Sequence, residues 1–144
     1  MSGGGSVVEN APGVFEDVEV WPSYRFQGRS LVRLVRDASG QLFLAVWLEW
    51  IGQNRCRMLY VPMSPLEIAG MKSGAIPMRE SFVDRRVLVV ECVGTTRSAA
   101  AAGKGKPTSF AWLNGASLPE RHLPKVAEKL FDDHWPEAKQ VWRA

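Results

Sequence analysis

Residues 41–50 read Gln-Leu-Phe-Leu-Ala-Val-Trp-Leu-Glu-Trp, an almost continuously apolar decapeptide. A run of this kind, bounded by turn signals, is expected of a central strand covered on both faces. On its N-terminal side stands Asp37-Ala38-Ser39-Gly40, a tight-turn tetrapeptide, and before that the β-rich stretch 31–35. Together they read as a hairpin. On its C-terminal side Gly52-Gln53-Asn54 makes the next turn. Residues 55–61 then alternate arginine with apolar residues before becoming apolar throughout, and Pro62 is expected to end the meander.

The rest of the chain fits round this centre. Residues 86–93, Arg-Val-Leu-Val-Val-Glu-Cys-Val, form a second buried strand candidate, and 108–113 return as a strand carrying Phe110 and Trp112. Val18, Val20 and Trp21 suggest a short edge strand halted at Pro22. Ser64-Pro65-Leu66-Glu67 is a helix start: Ser64 is the N-cap, Pro65 sits at the first helical position, and Glu67 closes a capping box. The helix is expected over 64–72 and a further helical turn over 78–82. Residues 94–107, rich in Gly, Ala, Ser and Thr, read as the least structured internal segment. Residues 123–133 carry the strongest helical periodicity, with Trp135 and Trp142 pinning the tail. The expected fold is therefore α+β. It has an antiparallel sheet of about five strands (a meander over 24–61, then 86–93 and 108–113), a helix near 64–72 and a C-terminal helix near 123–133. Residues 1–13 read as a flexible tail and 14–144 as a single domain.

Composition sets the class. The chain has 144 residues, 46% hydrophobic and 23% charged, the balance of a globular domain. Its net charge of +3 falls short of the dense basic footprint of a dedicated nucleic-acid binder. The distribution of charge is more telling. Glu9, Glu16, Asp17 and Glu19 are followed by Arg25, Arg29, Arg33 and Arg36 with no acid between them, and a second acid-free run holds Arg97, Lys104 and Lys106. Arg29, Arg33 and Arg36 also fit one face of a helix. The strand reading is preferred because the turn at 37–40 closes a hairpin. Cys56 and Cys92 lie in apolar runs without metal-ligand spacing, so the expectation is a reduced, buried pair of thiols and no metal. No apolar run reaches the ~20 residues of a membrane helix, and the start of the chain lacks an apolar signal region. A cytoplasmic protein is expected.

Residues 42–47, then Val61-Pro62-Met63-Ser64, Ser73-Gly74-Ala75-Ile76 and Arg79-Glu80-Ser81-Phe82, resemble the recurring elements of an uncharacterised bacterial domain family. The likeness spans roughly 24–90. It implies a small bacterial or phage-borne domain of unassigned biochemistry and no catalytic residue.

Motifs for chemistry are few. Residues 103–108, Gly-Lys-Gly-Lys-Pro-Thr, do not fit a phosphate-binding P-loop in either register. Ser98 or Ala100 stands where the first glycine is required, and Gly105 or Pro107 stands where Ser or Thr is required. His122 and His134 fall at opposite ends of one expected helix, too far apart to share a metal. No catalytic or cofactor-binding residue is assigned. Glu49 and Glu91 are carboxylates inside apolar strands, facing solvent or paired with an arginine such as Arg33 or Arg57. Alternation puts Trp47 and Trp50 on opposite faces of their strand, which disfavours a single stacking platform. Three functions follow in order. The first is a non-enzymatic interaction or accessory module of a bacterial multiprotein system, with a protein partner. The second is a nucleic-acid binder using Arg25, Arg29, Arg33, Arg36, Arg97, Lys104 and Lys106. The third is an enzyme using Glu49 or Glu91 in a cleft.

Overall fold

The computed structural model describes residues 11–20, 25–26, 29–30, 32–73, 85–101 and 103–117. In chain order the elements are β1 (Glu16–Val20), β2 (Arg25–Phe26), β3 (Arg29–Ser30), β4 (Val32–Arg36), β5 (Leu42–Trp50), β6 (Arg55–Met63), α1 (Pro65–Ser73), β7 (Arg86–Val93), α2 (Arg97–Ala101) and β8 (Lys106–Asn114). A 3-10 turn at Gly115–Ser117 follows. The fold is α+β: six strands form one antiparallel sheet in the order β1-β4-β5-β6-β7-β8.

The expected five strands become six because β1 pairs with β4 as a full edge. Arg25–Phe26 and Arg29–Ser30 leave the meander and form their own two-stranded ladder, β2 with β3. Arg33 and Arg36 sit on a strand, as preferred. The turn at 37–40 is built by the Asp37 carboxylate, whose Oδ1 accepts from the Ser39 amide (2.9 Å) and the Gln41 amide (3.0 Å). The expected turn at 78–82, the C-terminal helix at 123–133 and residues 1–10 of the tail lie outside the described residues.

Two expectations are corrected. Pro62 does not end the meander: it lies within β6 and pairs with Phe43 of β5. The Ile51 amide donates to the Arg55 carbonyl and the Gly94 amide to the Asn54 carbonyl. Alternation then points the even-numbered backbone groups of β6 at β7. The β6–β7 ladder stops at Tyr60–Leu88, so the missing Pro62 N–H is required by no strand. Its carbonyl accepts from the Arg85 guanidinium instead. Residues 94–107 are also more ordered than their composition implied. They hold α2, and β8 already begins at Lys106. Gly94 makes α2 fit, because a Cβ there would lie 2.6 Å from the Ala100 nitrogen and 2.7 Å from the Thr96 oxygen.

Register fixes two faces. Phe43, Ala45, Trp47, Met58, Tyr60, Leu88 and Val90 share one, and Leu44, Val46, Leu59, Val61 and Val89 share the other. All are buried, so the central strands are covered on both sides as their apolar runs required. Ile68 and Met71 of α1 join the same core.

Candidate functional site

On the second face, the sheet brings its charges into a row. Glu49, Arg57 and Glu91 are register partners on β5, β6 and β7, with Ser109 of β8 next in line. Arg57 donates through Nη1 to Glu49 Oε2, and through Nη2 to Glu91 Oε2 at 2.9 Å. Arg55 Nη2 stands 3.8 Å from Glu91 Oε1. Hydrogen bonding from Arg57 holds the Glu91 carboxyl below the usual carboxylate range. Both glutamates are thus paired with an arginine, the second of the two environments expected for them. A carboxylate held ionised by a guanidinium makes a poor general acid. It is also a weakened base, since one oxygen of each glutamate already accepts from Arg57.

The basic residues do not converge on one surface. Arg33 lies on the Tyr60 face, where Nη1 donates to Asp17 Oδ1 at 3.1 Å. Arg36 lies on the opposite face, where Nη2 donates to Glu16 Oε1 at 3.0 Å. The acidic N-terminal stretch neutralises both. Arg25 and Arg29 belong to the separate β2–β3 ladder. Arg97, on α2, lays its Cζ 3.8 Å from the centre of the Trp50 ring and donates to the Gln53 carbonyl at 2.6 Å. Lys104 Nζ approaches Asp17 Oδ2 at 3.7 Å.

The two tryptophans depart from simple alternation. A register shift between Trp47 and Glu49 inserts one residue into β5. Trp47 opposite Met58 and Trp50 opposite Cys56 therefore fall on the same face. Their rings meet edge to face at 5.5 Å. Arg97 covers this pair, so it is part of the packing and offers no open platform.

A cleft of about 320 Å³ opens on the Tyr60 face between the segment ending at Phe15 and the segment 103–107. Phe15, Tyr60, Val90 and Cys92 supply its apolar surface, with Lys104 and Lys106 among its lining residues. Phe15 stacks on Tyr60 at 4.4 Å and meets Phe43 edge-on at 5.3 Å. Pro12 and Gly13, expected in the flexible tail, also line it. Gly103 is required at the cleft wall: its φ is +75°, and a Cβ would fall 1.7 Å from Arg33 Nη2. Cys56 and Cys92 are free, buried and directly opposite one another across β6 and β7. Burial raises both thiols, Cys92 to about 12. Of the sequence candidates with described side chains, Lys104 and Lys106 reach this cleft. Tyr60, Phe15 and Cys92 were not singled out as site residues, because their apolar or mixed surroundings in sequence are those of core positions.

A last surface is the outer edge of β8. No described strand pairs with it on that side, and most of its residues are exposed. The Gly115 amide donates to the Arg85 carbonyl. Alternation then turns the backbone groups of Ser109, Ala111 and Leu113 toward β7 and those of Phe110 outward. The Phe110 side chain is 46% exposed. Among the described residues, no group of three or more His, Cys, Asp or Glu side chains is placed to hold a metal ion, and no helix is long and apolar enough to cross a membrane. No protein-family model matches the chain, and neither a curated protein nor a solved structure shows significant similarity to it.

Proposed function

We propose that this domain is a non-enzymatic interaction module that takes an extended segment of a protein partner as a further strand along β8. The observation that carries the reading is the exposed Phe110 on an edge of the six-stranded sheet to which no described strand is paired. Main-chain hydrogen bonds to such an edge supply affinity, and an exposed aromatic side chain supplies selectivity. The edge is guarded at both ends. Lys106, Pro107 and the register shift opposite Glu91 and Cys92 discourage pairing near its start, and the Trp112 and Asn114 carbonyls near its end already accept from Arg86 and Ser117, which leaves 109–111, round Phe110, as the docking length. The Glu49–Arg57–Glu91 row supports a module without acid–base chemistry. The separation of Arg33 from Arg36 on opposite faces weighs against the nucleic-acid reading. The likeness of residues 24–90 to an uncharacterised bacterial family is the reason for setting the module within a bacterial multiprotein system.

The test is a pulldown with the full chain and with Phe110→Lys, followed by hydrogen exchange on the recovered complex. The expected result is a partner retained by the wild type and lost by the variant, with slowed exchange across 109–111. A partner bound equally by both chains, or protection elsewhere, overturns the reading.

A further inference from the structure

Independently of the β8 edge, we propose that the cleft between Phe15 and residues 103–107 binds a small carboxylate with an aromatic or short acyl body. Three observations converge on that ligand. The first is the cleft surface, where Phe15, Tyr60, Val90 and Cys92 present ring, aliphatic and thiol groups and no ionised group. An apolar body buries well against such a surface. The cleft's volume of about 320 Å³ stands at the small end of the range for ligand sites, so the body is small.

The second observation is the charge around the opening. Lys104 and Lys106 line the cleft, and Arg33 lies directly behind Gly103. Arg33 and Lys104 share the Asp17 carboxylate, the one acid that the described part of this face supplies, and Arg33 has a further partner as well. Glu16, Glu49 and Glu91 belong to the other face by register. Lys106 makes no ion pair with any described residue. An anionic group at the mouth would therefore find in Lys106 a cation that no described carboxylate pairs.

The third is Tyr60. Its side chain is 5% exposed and lines the cleft, and its hydroxyl is not one of the fully buried unpartnered atoms, so it stays open to the cleft. A phenol so placed can donate to a ligand in exchange for water. Burial pushes its ionisation upward, so it stays protonated and able to donate. A carboxylate oxygen, or a carbonyl on the ligand body, is an acceptor within its chemistry.

The probes are sodium benzoate and sodium hexanoate, titrated into the full chain and followed by amide shifts in two-dimensional NMR. Benzyl alcohol and inorganic phosphate serve as controls for the apolar body and for charge alone. The expected result is saturable shifts at 103–106, Val90 and Cys92 with the carboxylates, and at least about tenfold weaker binding of both controls. Lys106→Gln, an exposed substitution, weakens benzoate by about fivefold and leaves benzyl alcohol unchanged. Tyr60→Phe removes one hydroxyl and lowers benzoate affinity by a similar factor. The proposal is overturned if neither carboxylate shifts these amides at millimolar concentration. It is equally overturned if benzyl alcohol or phosphate binds as well as benzoate. The wild-type comparison decides the matter even where Tyr60→Phe perturbs the core.

Discussion

At the scale of single residues, Glu67 is held from two sides. Its Oε1 accepts from the Ser64 amide at 2.8 Å, and its own amide donates to Ser64 Oγ at 3.1 Å, a closed capping box. Arg85 adds a two-pronged ion pair, with Nη1 3.2 Å from Glu67 Oε1 and Nη2 bonded to Oε2. The same guanidinium holds the Pro62 carbonyl, so one arginine ties the end of β6 to the start of α1. Hydrogen bonding from Arg85 lowers the Glu67 ionisation below its ordinary value of 4.5. The unfolded chain therefore takes up this proton first as pH falls. The pair's contribution is complete above 4.5 and is lost below it, toward the lower folded value. Glu67→Gln keeps a capping side chain and removes the charge. It is expected to cost about 2 kcal/mol at neutral pH, since it strands a partly buried guanidinium. Urea unfolding at neutral pH and at about pH 3 checks both parts, with the gap between wild type and variant closing in acid. A constant gap would locate the cost in packing instead of charge. The box was legible in the sequence because its partners are three residues apart. Arg85 was not, because nothing local ties it to residue 67.

At the scale of elements, the inserted residue in β5 has the widest reach. Alternation places Trp47 and Trp50 on opposite faces; the register shift places both beside α2. Sequence periodicity carries no mark of a bulge inside an apolar run, since either face accepts a Leu or a Trp. The same blindness hid α2, whose Arg-Ser-Ala-Ala-Ala composition reads as loop until Gly94 and Trp50 give it a seat. Arg97 holds that seat by covering the Trp50 ring and bonding the Gln53 carbonyl. Cys56 completes it by donating its thiol proton to the Ala100 carbonyl at 3.4 Å. Arg97→Ala is expected to destabilise the fold by about 1 kcal/mol, the scale of an exposed cation–π contact. The sharper readout is local. Amide exchange at Ala100, Gly103 and Lys104, whose N–H groups donate to Thr96, Ala100 and Ala99 carbonyls, should accelerate far more than exchange in β6 or β7. Uniform acceleration across the sheet would mean that α2 is no separate unit. By contrast, the three central strands were readable because their apolar runs and turns are local, and the structure bears out 42–50, the 55–61 start of β6 and 86–93 closely.

At the scale of the whole molecule, the sheet depends on short segments to close its Tyr60 face. Phe15, before β1, stacks on Tyr60 and abuts Phe43, so a residue near one end of the chain shields the middle of the sheet. Composition foretold a buried core, and the apolar pattern foretold which strands would make it. Which segment would cover which face depends on contacts between residues far apart in sequence, which no local pattern encodes. The two thiols report on this cover. Cys56 is fully buried and Cys92 is 5% exposed at the cleft. Cys92 ionises near 12 against an ordinary value of 9.0, which leaves about a thousandfold less thiolate near neutrality. Neither thiol should react with a disulfide reagent while the native chain stays folded. Because both thiol values are raised, the folded chain keeps protons that the unfolded chain releases. Stability therefore falls as pH rises above 9.0 toward 12, the opposite limb from Glu67. Phe15→Ala removes the lid without touching either sulfur, and labelling should then begin at Cys92 while Cys56, behind Ala100, remains slow. Mass spectrometry after timed labelling separates the two sites. Simultaneous labelling of both would show that the sheet opens as a whole, and that Phe15 contributes to global stability without acting as a local cover.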